Sequence, residues 1–402
     1  MKYLKYPVKL LKRACLLVLS VVGSVLSKYV PKQNNLIILE GSDDQRYNEN
    51  SRYLFEYLSK QNDLEVYWFT SNAAVRDHVR SLGYKPLYGI LEKLMIMPKA
   101  KMVIGTGSSP LNFLNTIGNG AIKICLMHGI GPKASVYTGE SELPTMRELE
   151  NIHKFDYLNF TSAYTSELIG KLAYKTPYKK IIIFGYPRND QYFDKQKCED
   201  LLKLKTKARQ IFPQMPKDAK LLLYSPTWRK DRSRELPIAR LKGFDLDAFN
   251  DFLVQNGFYM ICTIHPNVAS GMNVNRSNIF VVDYIKDPLF DINSLMTEAD
   301  VLINDYSTTS TDFALLDRPQ IFVMPDYDEY VKKDCFTEDY RSILPGKEVF
   351  SFDELKQTII DRQHSSEKFR ENRKTFLKKY YDASLANSCE LHAQFIRKVL
   401  GI

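Results

Sequence analysis

Short apolar runs alternate with helical patterns through most of this chain, and this alternation limits the folds available to it. A strand, a helix and a second strand in succession build a parallel sheet with helices on both faces. The strands predicted in the first half are Leu36–Leu39, Glu65–Thr70, Met102–Gly105, Ala121–Met127, Tyr157–Thr161 and Ile181–Phe184. Those predicted in the second half are Leu221–Tyr224, Tyr259–Ile264, Ile279–Val282, Val301–Asn304 and Gln320–Val323. The sequence therefore predicts an α/β protein.

A charged, proline-bounded segment, Gln196–Pro216, separates the two series of strands. Similar α/β halves on either side of it predict two doubly wound, Rossmann-type domains that face each other across a cleft. We expect an N-terminal α/β domain over residues 33–195. A C-terminal α/β domain is expected over residues 196–402, ending in amphipathic helices rich in Lys and Arg.

Residues 1–32 carry most of the net positive charge. Seven Lys and Arg residues precede the first acidic residue, Glu40, and supply most of the net charge of +9. The uncharged stretch Ala14–Ser27 spans about 21 Å as a helix, which is shorter than the hydrocarbon core of a bilayer. We expect a membrane-associating segment that lies in the plane of an anionic membrane surface; a signal peptide, a short signal-anchor and a buried core helix stay open. Because the positive charge is concentrated here, no nucleic-acid partner is expected.

Several familiar site signatures are missing from the sequence. Its six cysteines lack paired spacing, so neither a disulfide framework nor a zinc site is predicted. The chain has no Gly-x-x-x-x-Gly-Lys-Ser/Thr loop, and Gly105-Thr-Gly107 lacks the third glycine of a dinucleotide-binding fingerprint. ATPase and dehydrogenase functions are therefore disfavoured, and we expect neither a metal nor a cofactor.

The turn that follows the strand Val301–Asn304 is rich in hydroxyl groups. Residues 307–311 are all Ser or Thr and precede a helix expected near Thr309–Leu316. Such a turn directs hydroxyls and free helix amides at one point, where the helix dipole also favours an anion. When the turn is taken alone, a Ser/Thr N-cap is the commoner explanation of the pattern. The surrounding clusters favour a phosphate site, with Ser307 and Thr308 as ligands.

Four more polar clusters directly follow predicted strands. They are His128-Gly-Ile-Gly-Pro-Lys133, Gly185-Tyr-Pro-Arg188-Asn-Asp190, Ser225-Pro-Thr227-Trp-Arg229 and His265-Pro266. Parallel sheets bind ligands at the carboxyl ends of their strands, so the five clusters are expected to form one site. The two arginines lie in proline-containing turns, where a guanidinium group can bind phosphate oxygens bidentately. Asp312 fits a local cap and a hydrogen bond to ribose or substrate hydroxyls equally well.

Together these motifs resemble the CDP-glycerol glycerophosphotransferase family, whose members build teichoic acids and related poly(alditol phosphate) polymers. The resemblance runs from roughly residue 36 to residue 380. It includes all five clusters, with Asp305-Tyr-Ser307 and Asp312-Phe313 around the hydroxyl turn. The chain departs from the family at Met127, where Trp is common, and at Ile130-Gly131, where Thr-Pro is common. These departures are expected to affect which acceptor is preferred more than which reaction is catalysed.

The resemblance implies the GT-B architecture, with an N-terminal acceptor domain and a C-terminal CDP-alditol domain. It also implies a peripheral protein on the cytoplasmic side of the cell membrane. The implied reaction transfers glycerol phosphate, or another alditol phosphate, from CDP-glycerol or CDP-ribitol to a hydroxyl of a polyprenyl-linked saccharide or polymer. CMP is the leaving group.

The resemblance further implies roles for particular residues. His128 is expected to act as general base, and His265 to hold the pyrophosphate and stabilise charge on the departing CMP. Lys133 and Arg188 are assigned to the acceptor phosphate. The full set expected to bind substrate is Lys133, Arg188, Asp190, Thr227, Arg229, Asp305, Ser307, Thr308 and Asp312.

Two other functions stay open. One is a nucleotide-sugar glycosyltransferase or epimerase of the same GT-B fold, which the product nucleotide distinguishes because sugar transfer releases a diphosphate. The other is a non-catalytic protein that binds the membrane surface. The motifs do not separate glycerol from ribitol phosphate, or a primase from a polymerase, although the chain length favours a primase that adds one unit.

Overall fold

The structure is a computed structural model in which residues 25, 27–106, 119–129, 131–132, 146–227, 236–264, 274–282, 286–333, 336, 338–382 and 386–402 are described. Most of the predicted membrane-associating segment, residues 1–32, lies outside these ranges. Within the described residues, no helix is both long enough and apolar enough to cross a membrane.

Two parallel sheets form the core of the molecule, as the alternation of strands and helices predicted. The strands of the first sheet are β1 (Gln33–Glu40), β2 (Glu65–Phe69), β3 (Lys85–Leu87), β4 (Ala100–Gly105), β5 (Ile122–Cys125), β6 (Tyr157–Phe160) and β7 (Ile181–Ile183). Those of the second are β8 (Lys220–Tyr224), β9 (Phe258–Cys262), β10 (Ile279–Val281), β11 (Val301–Asn304), β12 (Gln320–Val323) and β13 (Lys347–Val349). The central strands are almost wholly buried, which explains their continuous apolar runs.

Helices connect the strands and cover both faces of each sheet. The first domain contains α1 (Glu49–Leu58), α2 (Ala73–Ser81), α3 (Ile90–Ile96), α4 (Met146–His153) and α5 (Ala163–Thr165), the last continued by a π-helix over Ser166–Ala173. The rest of the chain forms α6 (Lys195–Leu204), α7 (Thr206–Ile211), α8 (Leu246–Gln255), α9 (Ile292–Met296), α10 (Thr309–Ala314), α11 (Tyr327–Lys333), α12 (Phe352–Ile360), α13 (Arg362–Lys368), α14 (Arg370–Tyr380) and α15 (Ser388–Leu400). Short 3-10 helices lie at Met97–Lys99, Tyr178–Lys180, Pro187–Tyr192, Pro237–Arg240 and Tyr340–Ile343.

Both sheets have the strand order of a doubly wound fold. In the described residues the first sheet runs β3-β2-β1-β4-β5-β6-β7 and the second runs β10-β9-β8-β11-β12-β13. In each sheet the chain moves outward in one direction from the first strand and then returns to continue on its other side. The order therefore reverses between β1 and β4 and between β8 and β11, and such switch points create crevices at the carboxyl ends of the strands.

The last helices return to the first domain. Ala393, Ile396 and Leu400 of α15 belong to the apolar core under β1 and α1. Phe376 and Tyr380 of α14 pack with residues of β5 and β6. Residue 196, the expected domain boundary, lies between the last strand of the first sheet and the first strand of the second. The C-terminal helices α14 and α15 follow the second sheet in the chain but pack against the first domain.

Candidate functional site

The hydroxyl-rich turn lies at the switch point of the second sheet. It follows β11, whose neighbour β8 ends at Tyr224 and leads into Ser225. The Ser225 and Thr309 hydroxyls are 3.4 Å apart, and the Ser307 and Thr309 hydroxyls are 3.0 Å apart. The Thr309 amide also donates to the Ser307 hydroxyl over 3.4 Å, so Ser307 serves partly as a helix cap. This local hydrogen bond is of the kind that a capping residue makes.

A loop of the first domain packs directly against this turn. A Cβ atom added to Gly129 would lie 2.6 Å from the Thr308 hydroxyl oxygen, which is closer than a Cβ atom approaches another heavy atom. A Cβ atom added to Gly131 would lie 3.2 Å from the Thr311 hydroxyl oxygen. The glycines that follow His128 thus let the two domains meet at their strand ends. The structure brings the first and last of the sequence clusters together.

His128 sits at the start of this loop and is held there by its backbone. Met127 has a φ of 57°, a left-handed conformation that is strained for a residue with a side chain. The buried Asn50 side chain donates to the Met127 carbonyl oxygen over 2.8 Å and stabilises this conformation. His128 is exposed, but desolvation by the surrounding protein and the positive charge of Arg188 lower its pKa. The neutral, proton-accepting form is therefore favoured.

Arg188 connects the two domains. Its Nη1 donates to the His128 carbonyl oxygen over 2.7 Å and to Oε2 of Glu49 over 2.5 Å. Its Nη2 donates to Oδ2 of Asp312 over 2.7 Å, which forms a salt bridge between the first domain and α10. The side chain is only 3% exposed. The guanidinium group that was expected to bind the acceptor phosphate is thus engaged by protein atoms.

Asp312 belongs to a buried polar group rather than to the open cleft. Its Oδ1 accepts hydrogen bonds from the Asn189 amide over 3.1 Å and from the Tyr381 hydroxyl. Together with Arg188, these partners give each carboxylate oxygen of Asp312 at least one protein donor. Its hydrogen bonds join α10 to the 3-10 helix Pro187–Tyr192 and to the end of α14.

Thr227 and Asp305 lie together at the ends of β8 and β11. The Thr227 amide donates to Oδ1 of Asp305 over 2.8 Å. The same carboxylate accepts the Tyr306 amide, and the Tyr340 hydroxyl donates to the Asp305 carbonyl oxygen over 3.0 Å. The contacts fix the backbone on both sides of the switch point.

Asp190 faces the C-terminal helix. Its two carboxylate oxygens accept the amides of Ser388 and Cys389 over 2.9 and 2.8 Å. These are amides of the first turn of α15, where a carboxylate also interacts favourably with the helix dipole. In this arrangement Asp190 attaches the last helix to the first domain.

Three of the predicted site residues, Lys133, Arg229 and His265, lie outside the described residues. Among those that are described, no group of three or more His, Cys, Asp or Glu side chains is arranged to hold a metal ion.

A cavity of about 260 Å³ opens between the domains beside the hydroxyl turn. Both domains contribute to its wall, which is formed by Ser42, Arg46, Asn48, Glu49, Ser225, Thr263, Phe290, Asp291 and Ile292. A larger depression, of about 410 Å³, lies at the amino ends of β8 and β9 and includes Lys220 and Phe258. Because ligands of doubly wound sheets bind at the carboxyl ends, the smaller interdomain cavity is the candidate site.

Sequence reasoning missed Glu49 and Asn50 at the start of α1. Glu49 lines the cavity, and burial raises its pKa to about 7 although the charge of Arg188 opposes this effect. Besides holding Met127, the Asn50 side chain accepts the Arg188 amide over 3.3 Å. Polar and acidic residues are common in the first turn of a helix, so these two residues have no distinctive signature in the sequence.

Comparisons with known proteins identify the family that this chain resembles. The model of the CDP-glycerol:poly(glycerophosphate) glycerophosphotransferase family matches residues 24–396. A teichoic acid glycerol-phosphate transferase of Staphylococcus aureus is 26% identical over 377 residues, with 89% of this chain and 90% of the relative covered. A teichoic acid poly(glycerol phosphate) polymerase of Bacillus spizizenii is 27% identical, with 85% of this chain and 86% of the relative covered. Because this polymerase is of comparable length, chain length does not separate a primase from a polymerase.

Among solved structures, the wall teichoic acid polymerase TagF has the same fold. A histidine-to-asparagine variant of TagF soaked with CDPG superposes with a TM-score of 0.78. The match covers 98% of this chain and 97% of that one, at 22% identity. The likeness establishes two α/β domains in the GT-B-like arrangement.

Proposed function

This chain belongs to the CDP-glycerol:poly(glycerophosphate) glycerophosphotransferase family, and on that premise we propose that its interdomain cavity transfers glycerol phosphate from CDP-glycerol to a hydroxyl of a lipid-linked acceptor. The protein is a glycerophosphotransferase of teichoic acid synthesis, as its relatives are. What we propose beyond this is the acceptor, its lipid carrier and the roles of individual residues.

One observation carries the proposal, namely the meeting of the His128 loop with the hydroxyl turn. His128 comes from the first domain and Thr308 from the second, and the glycine between them leaves no space for a side chain. A proton acceptor is thereby brought close to hydroxyl groups suited to bind phosphate oxygens. Phosphoryl transfer depends mainly on such positioning and on stabilisation of charge.

In the proposed reaction, the acceptor hydroxyl attacks the phosphorus atom that carries glycerol. His128 takes the hydroxyl proton, the new bond to phosphorus forms, and the bond to the CMP oxygen breaks. Ser307 and Thr308 bind the donor phosphates. The Thr308 hydroxyl has no hydrogen-bond partner among the described residues, and Thr311 has a buried hydroxyl without a partner. Both hydroxyls are consistent with a site that is completed by substrate.

The three predicted residues that lie outside the described ranges keep their proposed roles. His265 and Arg229 stabilise the negative charge on departing CMP, and Lys133 binds the acceptor phosphate. Thr227 and Asp305 shape the donor side of the site through their mutual hydrogen bond. For Arg188 and Asp312 the contacts support a structural contribution to the site, because both terminal nitrogens of Arg188 and both carboxylate oxygens of Asp312 have protein partners.

We also propose that the protein associates peripherally with the cytoplasmic face of an anionic membrane, where a polyprenyl-linked acceptor presents its hydroxyl. Ile90, Leu91 and Met95 on α3 are between 52% and 76% exposed. Lys32 donates to the carbonyl oxygen of Pro98, just after this helix. Apolar side chains next to basic ones are suited to a surface of anionic lipid.

The reaction is tested with purified protein, CDP-glycerol and a lipid-linked disaccharide, followed by measurement of CMP release and product length. CDP-ribitol replaces CDP-glycerol in a parallel reaction to determine the alditol. One added unit identifies a primase, and a distribution of longer products identifies a polymerase. Absence of CMP release with both donors, from folded protein and with the lipid-linked acceptor present, would refute the proposed reaction.

A further inference from the structure

One wall of the interdomain cavity is formed by the start of α1, where Glu49 is the first helical residue. Glu49 has a φ of 64°, in the left-handed region that residues with side chains rarely adopt. Such a conformation is strained and persists where the surrounding structure enforces it. This backbone directs the Glu49 side chain towards Arg188 and the cavity.

Only one of the two Glu49 carboxylate oxygens is used by the protein. Oε2 accepts Nη1 of Arg188 over 2.5 Å. Within the described residues Oε1 has no hydrogen-bond partner, and the side chain is 23% exposed. The carboxylate thus presents an unused acceptor oxygen at the cavity wall while its other oxygen is fixed by a buried arginine.

The other carboxylate in the wall differs in this respect. Asp291 accepts the Tyr53 hydroxyl over 2.7 Å and Nη1 of Arg52 over 3.4 Å. Its second oxygen accepts the amide and the side chain of Asn293 over 3.0 and 2.8 Å. Asp291 is therefore a structural link between α1 and α9, whereas Glu49 retains hydrogen-bonding capacity for a ligand.

We propose that Glu49 binds a hydroxyl group of the polyol in the substrate, and that it holds Arg188 against the His128 carbonyl at the same time. This inference rests on the proposed function, since it assigns a contact within the same cavity. A carboxylate repels phosphate but accepts hydrogen bonds from alcohols, so its partner is the polyol end of a substrate and not the pyrophosphate. The polyol belongs either to the CDP-alditol donor or to a glycerol phosphate unit on the acceptor.

The positions of the hydroxyl turn and of Glu49 agree with this division. Ser225 and the hydroxyl turn lie on the second domain's side, and Glu49 lies on the opposite wall. A donor with its phosphates at the turn therefore extends its polyol towards the first domain. The His128 loop lies on that same side, because Arg188 contacts both Glu49 and the His128 carbonyl oxygen.

Binding is measured by calorimetry with CDP-glycerol and with CDP, which lacks the polyol, for the wild-type protein and for Glu49→Gln. At a pH above the Glu49 pKa of about 7, the glutamine keeps the shape of the side chain and removes its charge. If the donor polyol is the ligand, CDP-glycerol binding weakens roughly tenfold while CDP binding is unchanged, because a charged acceptor makes a stronger hydrogen bond than a neutral one. If the acceptor polyol is the ligand, donor binding is unchanged and the KM for the acceptor rises by a similar factor.

Glu56→Gln is the matched control, since Glu56 lies on the same helix, accepts Nε of Arg52 over 2.9 Å and is not part of the cavity wall. It is expected to bind both ligands as the wild type does. Glu49→Asp provides a second variant that keeps the charge but shortens its reach, and the same selective loss is expected.

Equal weakening of CDP and CDP-glycerol binding in Glu49→Gln, or no change in donor binding and acceptor KM, would overturn the inference. Wild-type protein that binds CDP-glycerol no more tightly than CDP and releases no CMP would instead refute the proposed function, and the inference with it.

Discussion

The Nη2 atom of Arg188 lies 2.7 Å from Oδ2 of Asp312, and this buried salt bridge joins two residues from opposite domains. Arg188 also holds the carbonyl oxygen of His128, so the loop that carries the proposed base is tied to the helix that follows the hydroxyl turn. Glu49 forms a second ion pair with the same guanidinium group, through Nη1. Arg188 therefore helps to fix the two halves of the site relative to each other.

Asp312→Ala is expected to destabilise the protein strongly, because it leaves Arg188 with less compensation in a buried environment. Removing one partner of a buried ion pair costs about 3–5 kcal/mol of unfolding free energy. Chemical denaturation followed by fluorescence measures this change. Lys85→Ala removes a pair with Glu65 in which the lysine is 57% exposed, and it is expected to cost less than about 1 kcal/mol. Equal costs for the two variants would contradict the importance assigned to the interdomain pair.

His128→Ala is expected to reduce the rate of CMP release by roughly 10²–10⁴-fold, which is the range for loss of a general base. Calorimetric binding of CDP-glycerol should persist, since the phosphates are assigned to the second domain. Near wild-type turnover in this variant would show that the base is another group.

The pH dependence gives a further check on the same residue. A base acts in its deprotonated form, so activity falls as the pH decreases through its pKa. Because loss of water and the Arg188 charge lower the pKa of His128, the acidic limb of kcat/KM is expected below about pH 6.5, the ordinary value for histidine. A limb clearly above that value would contradict the environment described for His128.

Gly129→Ala is expected to impair transfer severely, because the new methyl group would lie 2.6 Å from the Thr308 hydroxyl oxygen. The loop and the turn would have to separate, and this would misplace the proposed base relative to the donor phosphates. Gly131→Ala is the matched variant, since its nearest contact would be 3.2 Å and a small adjustment relieves it. Turnover assays should show the larger loss for Gly129→Ala, and a reversed order would count against the close approach at Thr308.

Replacing Leu91 and Met95 together by Glu is expected to weaken binding to anionic phospholipid vesicles and to reduce activity on a lipid-linked acceptor. Acidic side chains oppose both apolar insertion and attraction to anionic lipid. Activity on a short water-soluble acceptor should be retained. Leu172→Glu changes an equally exposed apolar residue elsewhere and serves as the control. Unchanged vesicle sedimentation of the double variant would exclude α3 as a membrane contact.

His392 is expected to make the stability of the protein depend on pH. It is fully buried in α15, and burial lowers its pKa to about 4 although the hydrogen bond to Ser388 opposes this effect. Above about pH 6.5 the histidine is neutral in both states, and its contribution to stability is complete. Between about pH 6.5 and 4 only the unfolded state binds the proton, so on the order of 3 kcal/mol is lost as the pH falls.

The measurement is the free energy of unfolding as a function of pH. His392→Gln should flatten its slope between about pH 4 and 6.5. Identical slopes for wild type and His392→Gln would disprove the assignment.

The periodicity of apolar residues was sufficient to predict most of the fold. The strands Val301–Asn304 and Gln320–Val323 were predicted with the bounds that the structure has. The strands that periodicity missed are Lys85–Leu87 and Lys347–Val349, which have three residues each and lie at the edges of their sheets. A run this short shows no recognisable period, and its pairing depends on the neighbouring strand.

The amino-acid sequence shows that polar clusters follow the strands. Because the strands pair in parallel, these clusters lie at one end of each sheet. The sequence did not determine which side chains pair with which. Arg188 and Asp312 are 124 positions apart, and Asp190 and Ser388 are 198 positions apart. An arginine or a carboxylate has the same local signature whether it binds a substrate or another residue. The folded structure is needed to tell substrate binding from pairing with another residue, because the way the domains pack fixes the partner of a buried charge.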